Sequence, residues 1–205
     1  MSLIESSEPG EVDWDADAHA YSRRYVAALQ YAAVRHRNQT RKGGKLPYLT
    51  HLMSVSSLVW AHGGDEEQAI AGLLHDTVED TGGAPVLDDI SRVFGERVAG
   101  IVNAATDGIT SSKTEKLPWR ERKTHHIARV AQVSPDAALV IACDKLHNLS
   151  QTATEYTREG EAVFAKFNPD ADARWYYRQM RNALAPNLPA DLLAEIDRNL
   201  ETLGA

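Results

Sequence analysis

The chain has 205 residues, a length that suits a single domain with a sizeable core, and its composition of 43% hydrophobic and 25% charged residues is that of an ordinary globular protein. No apolar run approaches the roughly 20 residues of a membrane-spanning helix, residues 1–10 lack the features of a secretory signal, and a single cysteine excludes an internal disulfide framework, so we expect a cytoplasmic protein without a membrane span. The formal net charge of −7 argues against general binding of nucleic-acid polymers.

Apolar residues recur at helical spacing along most of the chain, and no stretch alternates in the manner of a strand. The predicted helices cover residues 14–38, 47–62, 66–79, 86–94, 98–107, 115–132, 134–148, 172–184 and 189–203. Residues 1–12 offer little to bury and are predicted to be disordered. Residues 13–205 are expected to form one all-α domain, a bundle of about eight to ten helices.

The third predicted helix ends in an ionisable run that contains His75, Asp76, Glu79 and Asp80. On a continuous helix, residues four apart share a face, so we expect His75 above Glu79 and Asp76 above Asp80. Each row would then hold one candidate metal ligand and one free carboxylate a turn away. Because buried charge has to be paired or bound to a metal, the run indicates a functional site rather than a solvated helix end.

Two more candidate ligands end apolar faces on other predicted helices: His51 on the second, and Asp144 after the apolar run of residues 137–143. Taken singly, each histidine is more often a core imidazole with one hydrogen bond. The adjacent pair His75-Asp76 favours a metal, and a carboxylate at a helix C-terminus is opposed by the helix dipole and needs a cation. Imidazole and carboxylate without thiolate suit Mn²⁺, Fe²⁺ or Zn²⁺ better than Mg²⁺.

Glu79 and Asp80 follow the candidate ligands by one turn, so they could orient or deprotonate an attacking water and protonate a leaving oxygen. The alternative is a solvated acidic helix end, which the helix dipole disfavours. A basic cluster precedes the second helix, with no acid inside it. Its members are Arg35, Arg37, Arg41, Lys42 and Lys45. This cluster suits a small anionic ligand, or equally a solvated helix end.

Four segments together resemble the HD hydrolase of RelA/SpoT-type alarmone enzymes, and they are most similar to the free-standing small alarmone hydrolases, which lack a synthetase domain. The segments are Arg41-Lys42, Pro47-Tyr48-Leu49-Thr50-His51, residues 73–81 (LLHDTVEDT) and Asp144-Lys145-Leu146-His147-Asn148-Leu149. The resemblance covers about residues 20–185. It implies one Mn²⁺ per chain, held by four residues. These are His51, His75, Asp76 and Asp144.

The same resemblance implies that Glu79 and Asp80 form the catalytic acid pair and that Arg41, Lys42 and Asn148 contact the nucleotide. We count Tyr48 among the substrate-binding residues as well. Lys145 is either a phosphate contact or the partner of an acid. The implied reaction removes the 3′-pyrophosphate from guanosine 3′,5′-bispyrophosphate or its pentaphosphate relative, giving GDP or GTP.

Three local departures from this pattern keep other functions open: the linker Gly43-Gly44-Lys45-Leu46, the pair Asn103-Ala104, and Ser150, where many relatives carry arginine. One alternative is an HD phosphohydrolase that acts on another 3′- or 2′-phosphorylated nucleotide, such as an adenine alarmone or NADPH. Another is a non-catalytic nucleotide-binding module. The expected partner is a small nucleotide in each case, and the protein is expected to be a monomer or a homodimer.

Overall fold

The computed structural model describes residues 20–42, 44–106, 117–167 and 169–205. Within these ranges the chain forms ten α-helices, two 3₁₀ helices and one isolated β-bridge, and no strand. The α-helices are α1 (Arg23–Arg35), α2 (Leu49–Ala61), α3 (Glu66–Leu74), α4 (Thr77–Thr81), α5 (Ala84–Phe94), α6 (Glu96–Ala105), α7 (Trp119–Val130), α8 (Pro135–Glu159), α9 (Ala173–Leu184) and α10 (Ala190–Thr202). The predicted all-α bundle of eight to ten helices is confirmed. The predicted disorder of residues 1–12 lies outside the described residues.

The continuous helix predicted over residues 66–79 is wrong, because α3 ends at Leu74 and α4 begins at Thr77. Nδ1 of His75 lies 2.9 Å from the carbonyl oxygen of Gly72, the acceptor that a continuous helix gives to the amide of residue 76. His75 and Asp76 therefore occupy a joint between two helices. The amide of Asp80 still donates to the carbonyl of Asp76 at 3.0 Å, so these two acids remain one turn apart.

Several boundaries differ from prediction by a few residues, and two differ by much more. α1 begins only at Arg23, where the hydroxyl of Ser22 accepts the amide of Arg24 at 3.1 Å and so caps the helix. α8 continues well past the predicted end and is followed by a 3₁₀ helix, Gly160–Lys166, that the sequence did not indicate. None of the described helices is long and apolar enough to cross a bilayer.

α3 lies at the centre of the bundle and packs against α1, α2, α6 and α8. A capping box begins the helix, with the side chains of Asp65 and Gln68 each bonded to the other's backbone amide. Gly72 permits the close approach of α2, because a Cβ at this position would lie 3.1 Å from Cα of Ser56. This approach brings the rings of His51 and His75 to a centroid separation of 5.1 Å.

α8 is a central helix, since every residue from 137 to 144 is buried. The helix packs against α2, α3 and α6, and it places Asp144 beside His51 and His75. Asp144 lies within α8, so its expected position at a helix C-terminus is wrong. The N-terminus of α8 is capped by the hydroxyl of Ser134. The fold therefore brings together residues that are far apart in the sequence.

Candidate active site

The four predicted metal ligands converge at the joint between α3 and α4. Nε2 of His51 lies 3.5 Å from Oδ2 of Asp76 and 3.2 Å from Oδ1 of Asp144. Nε2 of His75 lies 3.0 Å and 3.6 Å from the same two oxygens. Two ligands about 2.1 Å from a cation and at right angles to each other lie about 3 Å apart, so these separations fit a shared metal ion.

The state of the two imidazoles supports this interpretation. Both Nε2 atoms are buried, and neither makes a hydrogen bond, although carboxylate oxygens lie within 3.6 Å of both. Buried polar atoms in folded proteins are nearly always satisfied, so two orphaned nitrogens side by side require an explanation. Ligating atoms of His51, His75 and Asp76 lie within 4.8 Å of one another, and a divalent cation between them would satisfy both nitrogens.

The opposite ring nitrogens fix the tautomers. Nδ1 of His75 faces the carbonyl oxygen of Gly72, which can only accept, so Nδ1 carries a proton and, in the neutral ring, Nε2 carries the lone pair. Nδ1 of His51 lies 2.8 Å from Nδ1 of His147. Burial, and then the charges of His51 and Arg41, lower the pKa of His147 to about 4, so His147 is neutral at pH 7 and can accept the proton of His51. Both Nε2 atoms then offer lone pairs to a metal.

The two ligand carboxylates are also held in place. Asp76 accepts the hydroxyl of Tyr48 on Oδ2 at 2.5 Å. Asp144 accepts the side-chain amide of Asn148 on Oδ1 at 2.6 Å and the ammonium of Lys145 on Oδ2 at 2.7 Å. Burial alone would raise the pKa of each acid. Burial is the largest single influence on each acid, but the charge of His75 at Asp76 and of Lys145 at Asp144, together with hydrogen bonds from His51 and His75, outweighs it. Both pKa values therefore fall below the ordinary range.

His75 responds to the same charges in the opposite direction. Burial works against its charged form, but the carboxylates of Asp76 and Asp144 raise its pKa well above the ordinary value. A proton therefore competes with a metal ion for Nε2 of His75. A metal ion has to displace that proton, so its binding releases protons to solvent.

The predicted substrate residues surround this cluster. Arg41 donates to Asn148 at 2.6 Å and to Gln151 at 2.8 Å, and its guanidinium carbon lies 5.6 Å from the ring centroid of Tyr48. Lys42 is exposed on the same loop. Of the two roles left open for Lys145, the structure shows the contact with an acid. Burial works against its ammonium, but Asp144, Tyr176 and Asp76 together raise its pKa well above the ordinary value.

The predicted catalytic acids occupy the short helix α4, directly after the ligand Asp76. Both Glu79 and Asp80 are exposed, so they are accessible to a substrate at the rim of the site. Asp80 accepts a hydrogen bond from the side-chain amide of Gln39 at 2.8 Å. The acids therefore lie next to the ligand cluster without belonging to it.

Three residues of the site were not singled out from the sequence: Gln39, His147 and Gln151. His147 lies inside the quoted segment 144–149, but no role was assigned to it. Gln151 lies one turn beyond His147, on the face of α8 that also carries Asp144 and could have been searched at intervals of three and four residues. Gln39 lies in a loop without periodicity, and no local signal identifies it.

We expect His147→Phe to lower the affinity for Mn²⁺ by about 10- to 100-fold, because the ring of His51 loses the acceptor that fixes its tautomer. Isothermal titration with Mn²⁺ measures this effect without reference to activity. His147→Asn is the matched control, since its carbonyl oxygen takes the place of Nδ1 and should preserve most of the affinity. Unchanged affinity in His147→Phe would contradict the orienting role.

The family described as HD domain matches residues 28–170, a range that contains every residue of the site. Guanosine-3′,5′-bis(diphosphate) 3′-pyrophosphohydrolase MESH1 of Drosophila melanogaster is 37% identical over 145 residues, which make up 67% of this chain and 76% of that protein. Its Homo sapiens counterpart is 38% identical over 127 residues, or 60% of this chain and 66% of that protein.

Two further similarities differ in extent. GTP pyrophosphokinase of Streptomyces coelicolor is 38% identical over 131 residues, but these are only 14% of that protein. A solved structure, described as a metazoan ortholog of SpoT that hydrolyzes ppGpp, has a TM-score of 0.74 and 29% identity. The match covers 91% of this chain and 99% of the solved one. The similarity to this structure therefore extends over nearly the whole bundle.

Proposed function

The chain belongs to the HD domain family, and from that premise we propose that it is a metal-dependent guanosine-3′,5′-bis(diphosphate) 3′-pyrophosphohydrolase. The observation that carries the proposal is the pair of buried, unbonded Nε2 atoms of His51 and His75 beside two carboxylates, with an exposed acid pair one turn away. In the reaction one water is consumed and the bond between the 3′-oxygen and its phosphorus breaks. The 3′-oxygen leaves with a proton, and pyrophosphate is released.

The metal that fits best is Mn²⁺, one ion per chain, held by His51, His75, Asp76 and Asp144. Two imidazoles and two carboxylates, without thiolate, are a mixed nitrogen and oxygen set that suits Mn²⁺ better than Mg²⁺. When bound, such an ion polarises phosphoryl oxygens and neutralises the charge that develops on them. The site brings four acids close to a polyanionic substrate, so a cation is also needed to offset their repulsion.

Glu79 and Asp80 transfer the protons. They are the acids next to the ligand cluster that remain exposed, so a carboxylate can take a proton from the attacking water and a carboxylic acid can return one to the 3′-oxygen. Asp76 and Asp144 are less suited to this work, because each already accepts hydrogen bonds and the pKa of each is lowered.

The loop that carries Arg41 and Lys42, together with α8, binds the nucleotide. Asn148 and Gln151 hold one edge of the Arg41 guanidinium, which leaves its planar face able to stack on a base. Lys42, exposed beside it, supplies a point charge for a phosphate. Lys145 donates to Asp144 and so offsets the negative charge of that carboxylate.

The decisive experiment compares three substrates with the purified protein: guanosine 3′,5′-bispyrophosphate, its adenine counterpart and NADPH. We expect GDP and pyrophosphate from the guanine compound with Mn²⁺, no turnover after chelation, and recovery when Mn²⁺ is restored. Ser150 favours testing the other two, since it donates to the carbonyl of His147 and brings no positive charge to this part of α8. If the protein hydrolysed the adenine counterpart or NADPH but not the guanine compound, that substrate would replace guanosine 3′,5′-bispyrophosphate in the proposed function.

A further inference from the structure

A chain of hydrogen bonds leads away from the catalytic acid Asp80 into the core. The side-chain amide of Gln39 donates to Oδ2 of Asp80 at 2.8 Å. Oε1 of Gln39 lies 2.6 Å from Nδ1 of His36. Nε2 of His36 lies 3.2 Å from the hydroxyl oxygen of Thr77. His36, Gln39 and Thr77 belong neither to the metal ligands nor to the substrate residues.

Chemistry at the Asp80 end determines the direction of every bond. An ionised carboxylate only accepts, so the amino group of Gln39 must face it and Oε1 must face His36. Nδ1 of His36 then carries the proton, and Nε2 accepts the hydroxyl proton of Thr77. A single arrangement of donors and acceptors satisfies all three bonds.

The support for Asp80 is buried although Asp80 itself is exposed. His36 is 3% exposed and Thr77 is 0% exposed. The ring of His36 stacks on Tyr48, with centroids 5.3 Å apart and planes 17° apart. The backbone of Gln39 is fixed as well, because its carbonyl accepts the amide of Tyr48 at 2.9 Å. An exposed side chain on a five-residue helix therefore contacts a rigid partner.

We propose that Gln39 is a positioning residue that holds Asp80 in the orientation for proton transfer, and that His36 and Thr77 hold the amide of Gln39. This role rests on the proposed function, since it requires Asp80 to take part in the reaction. Gln39 also precedes Arg41 by two residues. The loop that contacts the nucleotide and the acid that acts on it are therefore linked at a fixed separation, as efficient catalysis requires.

The first test is Gln39→Met, which keeps the length of the side chain and removes its donor. We expect kcat to fall about 10- to 100-fold, the size of effect that follows from losing a hydrogen bond to a charged group. The KM, the Mn²⁺ affinity and the melting temperature should stay near wild type, whereas general damage to the site would change them. Gln30→Met, at an exposed glutamine of α1, is the matched control.

The support is tested by comparing His36→Leu with His36→Asn. The amide of asparagine can place a donor where Nδ1 of His36 lies, so His36→Asn should retain clearly more kcat than His36→Leu. Equal losses in both variants would overturn the role of His36 as a donor to Gln39, and with it the proposed support.

A double-mutant cycle separates positioning from a direct role. In an Asp80→Asn background, single-turnover rates should show no further loss from Gln39→Met, because Gln39 acts through Asp80. Additive losses, or a wild-type kcat in Gln39→Met alone, would overturn the proposal while leaving the proposed function intact. If the wild-type protein released no pyrophosphate with Mn²⁺, the proposed function itself would fail, and this role with it.

Discussion

Asp76→Ala should lower hydrolysis by at least about a thousandfold and abolish tight binding of Mn²⁺. Asp76 lies 3.0 Å from Nε2 of His75 and 3.5 Å from Nε2 of His51, so it closes the ligand cluster on the side of α4. Lewis-acid stabilisation is worth several kcal/mol, and each 1.4 kcal/mol is about a factor of ten in rate. Loss of the ion removes this whole contribution.

Thermal unfolding provides a readout for Asp76→Ala that does not depend on turnover. At a Mn²⁺ concentration of about 100 Kd, binding stabilises a folded protein by about 2.7 kcal/mol, which raises the melting temperature of a domain of this size by about 5–10 °C. Wild type should show this rise and Asp76→Ala should not. Asp88→Ala, at an exposed acid of α5, should behave as wild type. A fully active Asp76→Ala would exclude the metal centre as described.

The metal ligands could be predicted because each lies where a local pattern ends. Asp144 follows an apolar helical run, and His51 lies in the first turn of α2. Such patterns depend on near neighbours, as do the caps at Asp65 and Ser134. The break after Leu74 could not be predicted in this way, because the imidazole of His75 contacts the carbonyl oxygen of Gly72, which the amide of Asp76 would accept in a continuous helix. Helix propensity and hydrophobic periodicity carry no information about a side chain that competes with the backbone for a hydrogen bond.

The residues around the ligands depend on contacts between distant parts of the chain. Gln39 and Asp80 are 41 positions apart, and Arg41 and Gln151 are 110 positions apart. Tyr48 was assigned to the substrate, and in the structure its hydroxyl donates to Asp76, 28 positions away. The resemblance to a known family pointed to Arg41, Tyr48 and Asp80, whereas Gln39 and Gln151 were not singled out from the sequence. Their partners followed only from the way α2, α4 and α8 pack.

Substitution of Glu79 tests whether chemistry and metal binding are carried by different residues. Glu79→Gln keeps the size and polarity of the side chain but cannot exchange a proton at neutral pH, and Glu79→Ala removes the group altogether. We expect both to lower single-turnover hydrolysis by about 10²- to 10⁴-fold, the usual contribution of a general acid or base. Mn²⁺ affinity should stay close to wild type, because the proposed ligands are His51, His75, Asp76 and Asp144.

Turnover and Mn²⁺ affinity should respond differently, because loss of a ligand lowers both quantities, whereas loss of a proton-transfer group lowers turnover alone. Glu201→Gln, at an exposed glutamate of α10, serves as the matched control and should change neither quantity. A folded Glu79→Ala that no longer binds Mn²⁺ would make Glu79 a ligand instead of an acid or base. A Glu79→Gln with wild-type turnover would leave Asp80 as the single proton-transfer group. The helix α4, which follows the ligands His75 and Asp76, would then contribute one proton-transfer group rather than two.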